Sequence, residues 1–316
     1  MMNIIGHQKI VNFLKKSISG NNLAHTYLFY GPSHIGKTKV AEFFAASLIC
    51  QNPKSGNPCG ECQNCLQIKK RIHPDVYWIV NQENKSQISI EQIRQLKENL
   101  SLEPFCALYK VAIIEQADNL TIQAANSFLK LLEESASKTV IILIAKSFRN
   151  IPLTIRSRSQ IIRFSFPKKT EIISSLTEDF KLSDKEAENI FNLSLGRPGS
   201  AMELVFDPQK IKEYQKFQAV ILNELAKNNF LSRFEIADLL SDSSSLSNLL
   251  RVMRDLILFK VGIPTSSDLI PVLTKVSKVY SMERLAKFTS EILKTQMMLR
   301  QNVSFKIAVE NLLINL

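Results

Sequence analysis

With 316 residues, 45% of them hydrophobic and 22% charged, the chain has the composition of a soluble globular protein, long enough for two or three domains that each bury a core. Forty Lys and Arg against 29 Asp and Glu leave a formal charge of +11, which favours contact with a polyanion, yet no arginine-rich tail or aromatic-basic segment localises a nucleic-acid groove. No run of about 18 uncharged apolar residues is present, and the first residues lack the small-residue cleavage site of a secretory signal, so a membrane partner is excluded and a cytoplasmic location is expected.

Along the chain, MMNIIGHQKIVNFLKK predicts a short amphipathic helix over residues 1–16. The strand-like TYLFY (26–30) then runs into Gly31, Pro32, Ser33, His34, Ile35, Gly36, Lys37, Thr38 and Lys39, followed by the helical KTKVAEFFAASLIC. Gly31, Gly36, Lys37 and Thr38 make G-x-x-x-x-G-K-T in the strand-loop-helix context that a phosphate-binding loop requires. Backbone N–H groups wrap the phosphates, Lys37 reaches the β and γ oxygens, and Thr38 ligates magnesium. ATP with Mg2+ is the expected ligand, and a loop that keeps the turn but holds no nucleotide is the competing reading.

Directly after that helix, Cys50, Cys59, Cys62 and Cys65 fall within sixteen positions, separated by the turn-rich QNPKSGNPCGE. Four thiolates complete a tetrahedral zinc site and leave no open position, so Zn2+ here is expected to be structural, in a module over 50–65. Four reduced thiols without metal is the alternative.

The strand-like VYWIV (76–80), KVAII (110–114), TVIILIA (139–145) and QIIRFSF (160–166) alternate with the helical SIEQIRQLKENL and IQAANSFLKLLEES. Alternation of this kind predicts a mostly parallel sheet covered by helices on both faces, an α/β domain over residues 1–166. Beyond it lie patterns of helical period such as DKEAENIFNLSL and LLRVMRDLILFKVG, interrupted by GRPGS. They predict a small helical domain over 167–206 and a helical C-terminal domain over 207–316. The third strand ends on Glu115 and Gln116, where nucleotide hydrolysis needs a metal-holding acid and a group that orients water.

A phosphate loop whose helix runs into a four-cysteine module resembles the bacterial clamp-loader subunits of DNA polymerase III, in the AAA+ family, and within them the delta prime branch. The likeness runs through IIGHQKIVNFLKKSI, LAHTYLFYGPSHIGKT, CGECQNC, HPDVYWI, ISIEQIRQLKENLSLEP, KVAIIEQADNLTIQAANSFLKLLEES and LTIRSRSQIIRF, and continues weakly into LSLGRPGSA. It implies an AAA+ nucleotide-binding domain, a three-helix lid and a helical collar that joins a hetero-pentamer. That ring, with delta and the gamma or tau motor subunits, loads the beta sliding clamp onto primed DNA.

The resemblance also ranks the site residues. Motors carry Asp-Glu where this chain has Glu115-Gln116; Glu115 still holds magnesium through water, whereas Gln116 cannot take a proton, a loss worth about 10²–10⁴-fold in rate. The polar sensor after TVIILIA is replaced by Lys146-Ser147, and the lid arginine of the motors becomes Gly199, with Arg197 nearby. Ser157-Arg158 keeps the motif that projects an arginine finger into a neighbour's site, with Ser159 replacing a cysteine. The reading is a stator that binds ATP with little or no turnover and supplies Arg158 in trans. A gamma/tau-type hydrolysing motor is one alternative, and a zinc-stabilised nucleic-acid binder is another.

Overall fold

The computed structural model describes residues 4–81, 87–134, 138–263, 269–299 and 303–314. The chain divides into two compact units, Met1–Glu203 and Leu204–Leu316. In the first, β1 (Thr26–Tyr30), β2 (Val76–Ile79), β3 (Lys110–Ile114), β4 (Thr139–Ala145) and β5 (Gln160–Arg163) form one parallel sheet in the order β2-β3-β4-β1-β5. All five predicted strands are present. β5 stops short of Phe166 because its neighbour β1 ends in the phosphate loop: the last rung is the Phe164 N–H on Tyr30 O at 2.8 Å.

Period two along the central strands sorts their side chains between two cores. Tyr27, Phe29, Val111, Ile113, Val140 and Ile142 pack with Val11 and Leu14 of α1 (Gln8–Ser19) and with α2 (Lys37–Ile49). Leu28, Ala112, Ile114, Ile141 and Leu143 pack on the other face with Ile93 and Leu96 of α4 (Ile90–Ser101) and Phe128 of α5 (Ile122–Glu134). Between α2 and β2 lies α3 (Gln63–Lys69), and before β5 the one-turn α6 (Leu153–Arg156). The first helix starts at Gln8, later than expected, because Gly6 and His7 hold φ of 71° and 61°; residues 1–3 of that prediction lie outside the described residues.

The unit is completed by α7 (Lys169–Phe180), α8 (Asp184–Leu193) and the start of α9 (Pro198–Phe206), which runs across the division between the units. A capping box fixes the start of α8, the Ser183 hydroxyl accepting from the Glu186 N–H while Glu186 returns to the Ser183 N–H.

The second unit consists of α10 (Gln209–Lys227), α11 (Phe230–Leu239), α12 (Ser243–Lys260), α13 (Ile270–Val279), α14 (Met282–Met298) and α15 (Phe305–Ile314). Their apolar stripes meet on fully buried Leu222, Leu246, Val252, Leu256, Leu273 and Ile292. Asp255 reaches into this core: it accepts from Gln218 Nε2 at 3.0 Å and the Tyr214 hydroxyl at 3.4 Å, and burial raises its pKa against the pull of Arg254.

Candidate nucleotide and metal site

The phosphate loop lies at the carboxyl end of β1, in the crevice where the strand order reverses. Gly31 has φ 149°, and a Cβ there would stand 2.4 Å from Phe164 O; Gly36 has φ 100°, a conformation closed to side chains although space is open. Lys37, 6% exposed, donates from Nζ to Gly31 O at 2.7 Å and Pro32 O at 2.5 Å, so its ammonium is held inside the loop's own carbonyls. Burial lowers its pKa to about 8, against the partial support of Asp118.

A cavity of about 310 Å³ opens above the loop. Ser33, His34, Gly36, Lys37, Thr38 and Lys39 line it from the loop, with Glu115, Gln116, Lys146 and Gly199 opposite. Lys39 is 61% exposed and pairs with Glu42 at 2.7 Å, while Ile35 is fully buried and anchors the loop from beneath.

At the end of β3, Glu115 Oε1 lies 3.0 Å from Arg71 Nη2. Gln116, in the left-handed region at φ 53°, has its Oε1 held by Asn81 Nδ2 at 3.2 Å and Asn119 Nδ2 at 3.0 Å. Asp118 accepts the Lys146 N–H at 3.1 Å, tying the turn after β3 to the turn after β4. The arrangement can hold an anion on Lys37 and the loop N–H groups. It offers no carboxylate where Gln116 stands.

Three contacts here were not foreseen from sequence. His7 donates from Nε2 to Ile35 O at 2.7 Å and packs edge-on to Phe164, bracing the loop from the N-terminal segment; burial holds its pKa below the usual value. The Gly199 N–H donates to His34 O at 2.7 Å, and a Cβ at Gly199 would meet that oxygen at 2.8 Å. The start of α9 therefore rests on the phosphate loop through the Gly199 backbone, and His34 Nδ1 also lies 3.2 Å from Glu203 Oε1 of the same helix. Arg197 is not among the residues lining the cavity. The third is Arg71, a lone arginine that no motif marks.

Cys50, at the end of α2, meets Cys59, Cys62 and Cys65 in one cluster whose sulfurs all lie within 4.8 Å of one another. The Cys50–Cys62 and Cys59–Cys65 separations are both 4.0 Å, close to the edge of about 3.8 Å that four Zn–S bonds of about 2.3 Å define in a tetrahedron. Cys62 caps α3 and Cys65 sits in its first turn. N–H groups of Cys59, Cys62 and Cys65 donate to the sulfurs of Cys50, Cys59 and Cys62 at 3.2, 3.3 and 3.5 Å, an orientation suited to thiolates. Backbone N–H groups of Glu61 and Cys62 bring the Cys59 pKa down to about 6, whereas burial pushes Cys50 and Cys65 up. Four converging sulfurs with a depressed member fit a closed zinc site.

His73, Asp75 and Cys106 also converge. Here the acceptors are already used: Asp75 takes the N–H groups of Phe105, Cys106 and Ala107 at 2.6 to 3.0 Å, and His73 Nδ1 takes the Asp75 N–H at 3.1 Å. The cluster pins the 105–107 turn beside β2.

Arg158 lies apart from the cavity, in the turn between α6 and β5. It is 47% exposed, pairs with Glu133 at 3.1 Å and donates to Thr154 O at 3.4 Å.

A parallel sheet in the order β2-β3-β4-β1-β5 with a phosphate loop at the carboxyl end of β1 is the core of an AAA+ fold. Residues 6–168 match the family described as DNA polymerase III, delta subunit, and the chain belongs to that family. It is 34% identical to the delta′ subunit of Pseudomonas aeruginosa over 57% of this chain and 56% of that one. It is likewise 34% identical to the tau subunit of Bacillus subtilis, over 53% of this chain and 29% of that one. The chain thus spans about half, or less, of the length of these relatives. A gamma-subunit-related structure from Thermotoga maritima superposes over 96% of this chain and 97% of its own at 19% identity, with a TM-score of 0.49. No helix among the described residues is long and apolar enough to cross a membrane.

Proposed function

We propose that this chain is a delta prime subunit of the DNA polymerase III clamp loader. It acts as a stator that holds ATP with little or no turnover and lends Arg158 to a neighbouring motor subunit. The observation that carries this reading is Gln116: its amide stands beside Glu115 with Oε1 held by two asparagines, so the position that would orient water carries no base. Lys37, Thr38 and the loop N–H groups would hold the phosphates, beside a Glu115 whose carboxylate faces Arg71 at 3.0 Å, and magnesium would supply charge neutralisation to the phosphates when bound. The four cysteines would hold Zn2+.

Arg158 is suited to act in trans. Its pair with Glu133 is solvent-exposed and weak, about 0–1 kcal/mol, so the guanidinium is easily released to a phosphate. Leu153, on the same short helix, is 70% exposed, as a partner-facing surface would be. In this reading residues 167–206 form the lid and 207–316 the collar of a hetero-pentamer with delta and gamma/tau subunits. The ring places the beta clamp on primed DNA.

Steady-state ATP turnover of the zinc-loaded chain, alone and with delta and motor subunits on primed DNA, tests the proposal. Silence alone and turnover in the mixture is expected. The equal identity to a tau subunit favours a second reading, a hydrolysing motor. Brisk turnover by the chain alone would select it.

A further inference from the structure

The helix that carries Cys65 ends in a conformation its sequence does not favour. The Arg71 N–H donates to Ile68 O at 2.9 Å and the Ile72 N–H to Gln67 O at 3.0 Å, the paired bonds of a Schellman end, which place Arg71 at φ 59°. Glycine or asparagine takes that position without strain, and arginine does not. The side chain held there by this end has three partners. Nη2 lies 3.0 Å from Glu115 Oε1 and 3.5 Å from Glu42 Oε1, and the guanidinium lies 4.1 Å over the Trp78 ring. The Glu115 contact lacks hydrogen-bond alignment, so it is Coulombic. Both acids are sheltered, at 23% and 9% exposure, and Glu115 is the one carboxylate among the described residues that line the loop cavity.

We propose that Arg71 takes the place of a divalent cation's charge at Glu115, so that the phosphate loop binds nucleoside triphosphate with little dependence on magnesium. The inference rests on the nucleotide reading above. An unpaired carboxylate beside the loop would repel a polyphosphate, and magnesium would relieve that repulsion while gaining a ligand. With Arg71 in place the repulsion is already offset and the carboxylate is already engaged. Removing the guanidinium uncovers Glu115, whereas Glu42 keeps Lys39 at 2.7 Å, and magnesium then acquires a marked effect on affinity.

The test compares ATP affinity, by calorimetry, with magnesium and in magnesium-free buffer made without chelator so that the cysteine site keeps its metal. Arg71→Gly suits the positive φ and removes the side chain without straining the helix end. Arg71→Lys keeps the charge. The wild type and Arg71→Lys are expected to show affinities within about twofold in the two buffers, and Arg71→Gly a ratio of about fivefold, the upper scale of one half-exposed ion pair. The same ratio in wild type and Arg71→Gly would overturn the proposal. If no variant binds ATP, the nucleotide reading fails, and manganese added without nucleotide decides the role of Arg71. Trp78 is the chain's single tryptophan and lies under the guanidinium. Saturable quenching of its emission by manganese in Arg71→Gly but not in wild type supports the proposal, and equal quenching contradicts it.

Discussion

Lys37 is buried against two carbonyls of its own loop, and burial brings its pKa to about 8, below the unfolded value near 10.5. A lysine with a depressed folded pKa is protonated more readily in the unfolded chain. The free protein therefore gains stability as pH rises from about 8 to about 10.5. Phosphate binding needs the charged form, so ATP affinity should be level below pH 7 and fall by up to about tenfold per unit above pH 8, which calorimetry at three pH values would check. Gly199 allows a second prediction. Alanine normally favours a helix, yet a Cβ here would sit 2.8 Å from His34 O, so Gly199→Ala should destabilise the first unit by about 1–3 kcal/mol in urea unfolding. An unchanged midpoint would show that α9 does not rest on the loop as described. The loop residues were legible because their spacing and flanks encode the turn directly. Arg71 and Gly199 were not, since one is a lone cation and the other acts through backbone contact between distant segments.

The four-cysteine element joins α2 to α3, and no residue from Cys50 to Gln63 is buried, so its cohesion is expected to depend on the sulfurs. One equivalent of zinc is expected by elemental analysis. Its removal should lower the thermal midpoint of the first unit and loosen α3, seen as lost amide protection over residues 59–71; retained protection would mean the thiols suffice. Cysteine spacing announced the cluster. Helix α3 escaped notice because seven residues, QNCLQIK, carry too little periodicity and the cap is a cysteine. Strands β3 and β4 were plain, being buried along their whole length and written as continuous apolar runs after Lys110 and Thr139. The first helix was placed too early because apolar residues before Gly6 mimic its period, while two positive φ values delay its start.

At the scale of the molecule, the family match covers residues 6–168, so the second unit draws its proposed role from helical packing and position alone. Fold class was readable because alternation of strand and helix leaves few topologies for a parallel sheet. Assembly was not, since exposed residues of the helical unit carry no pattern that names a partner. The stator role proposed above requires Arg158 to work on a neighbour's nucleotide and not on its own. The most direct measurement is DNA-stimulated ATP turnover of the reconstituted complex containing Arg158→Ala. An arginine finger contributes about 10³–10⁵ at the site it serves, so a clear loss of turnover is expected with assembly and zinc content intact. Turnover equal to that of the wild-type complex would contradict it.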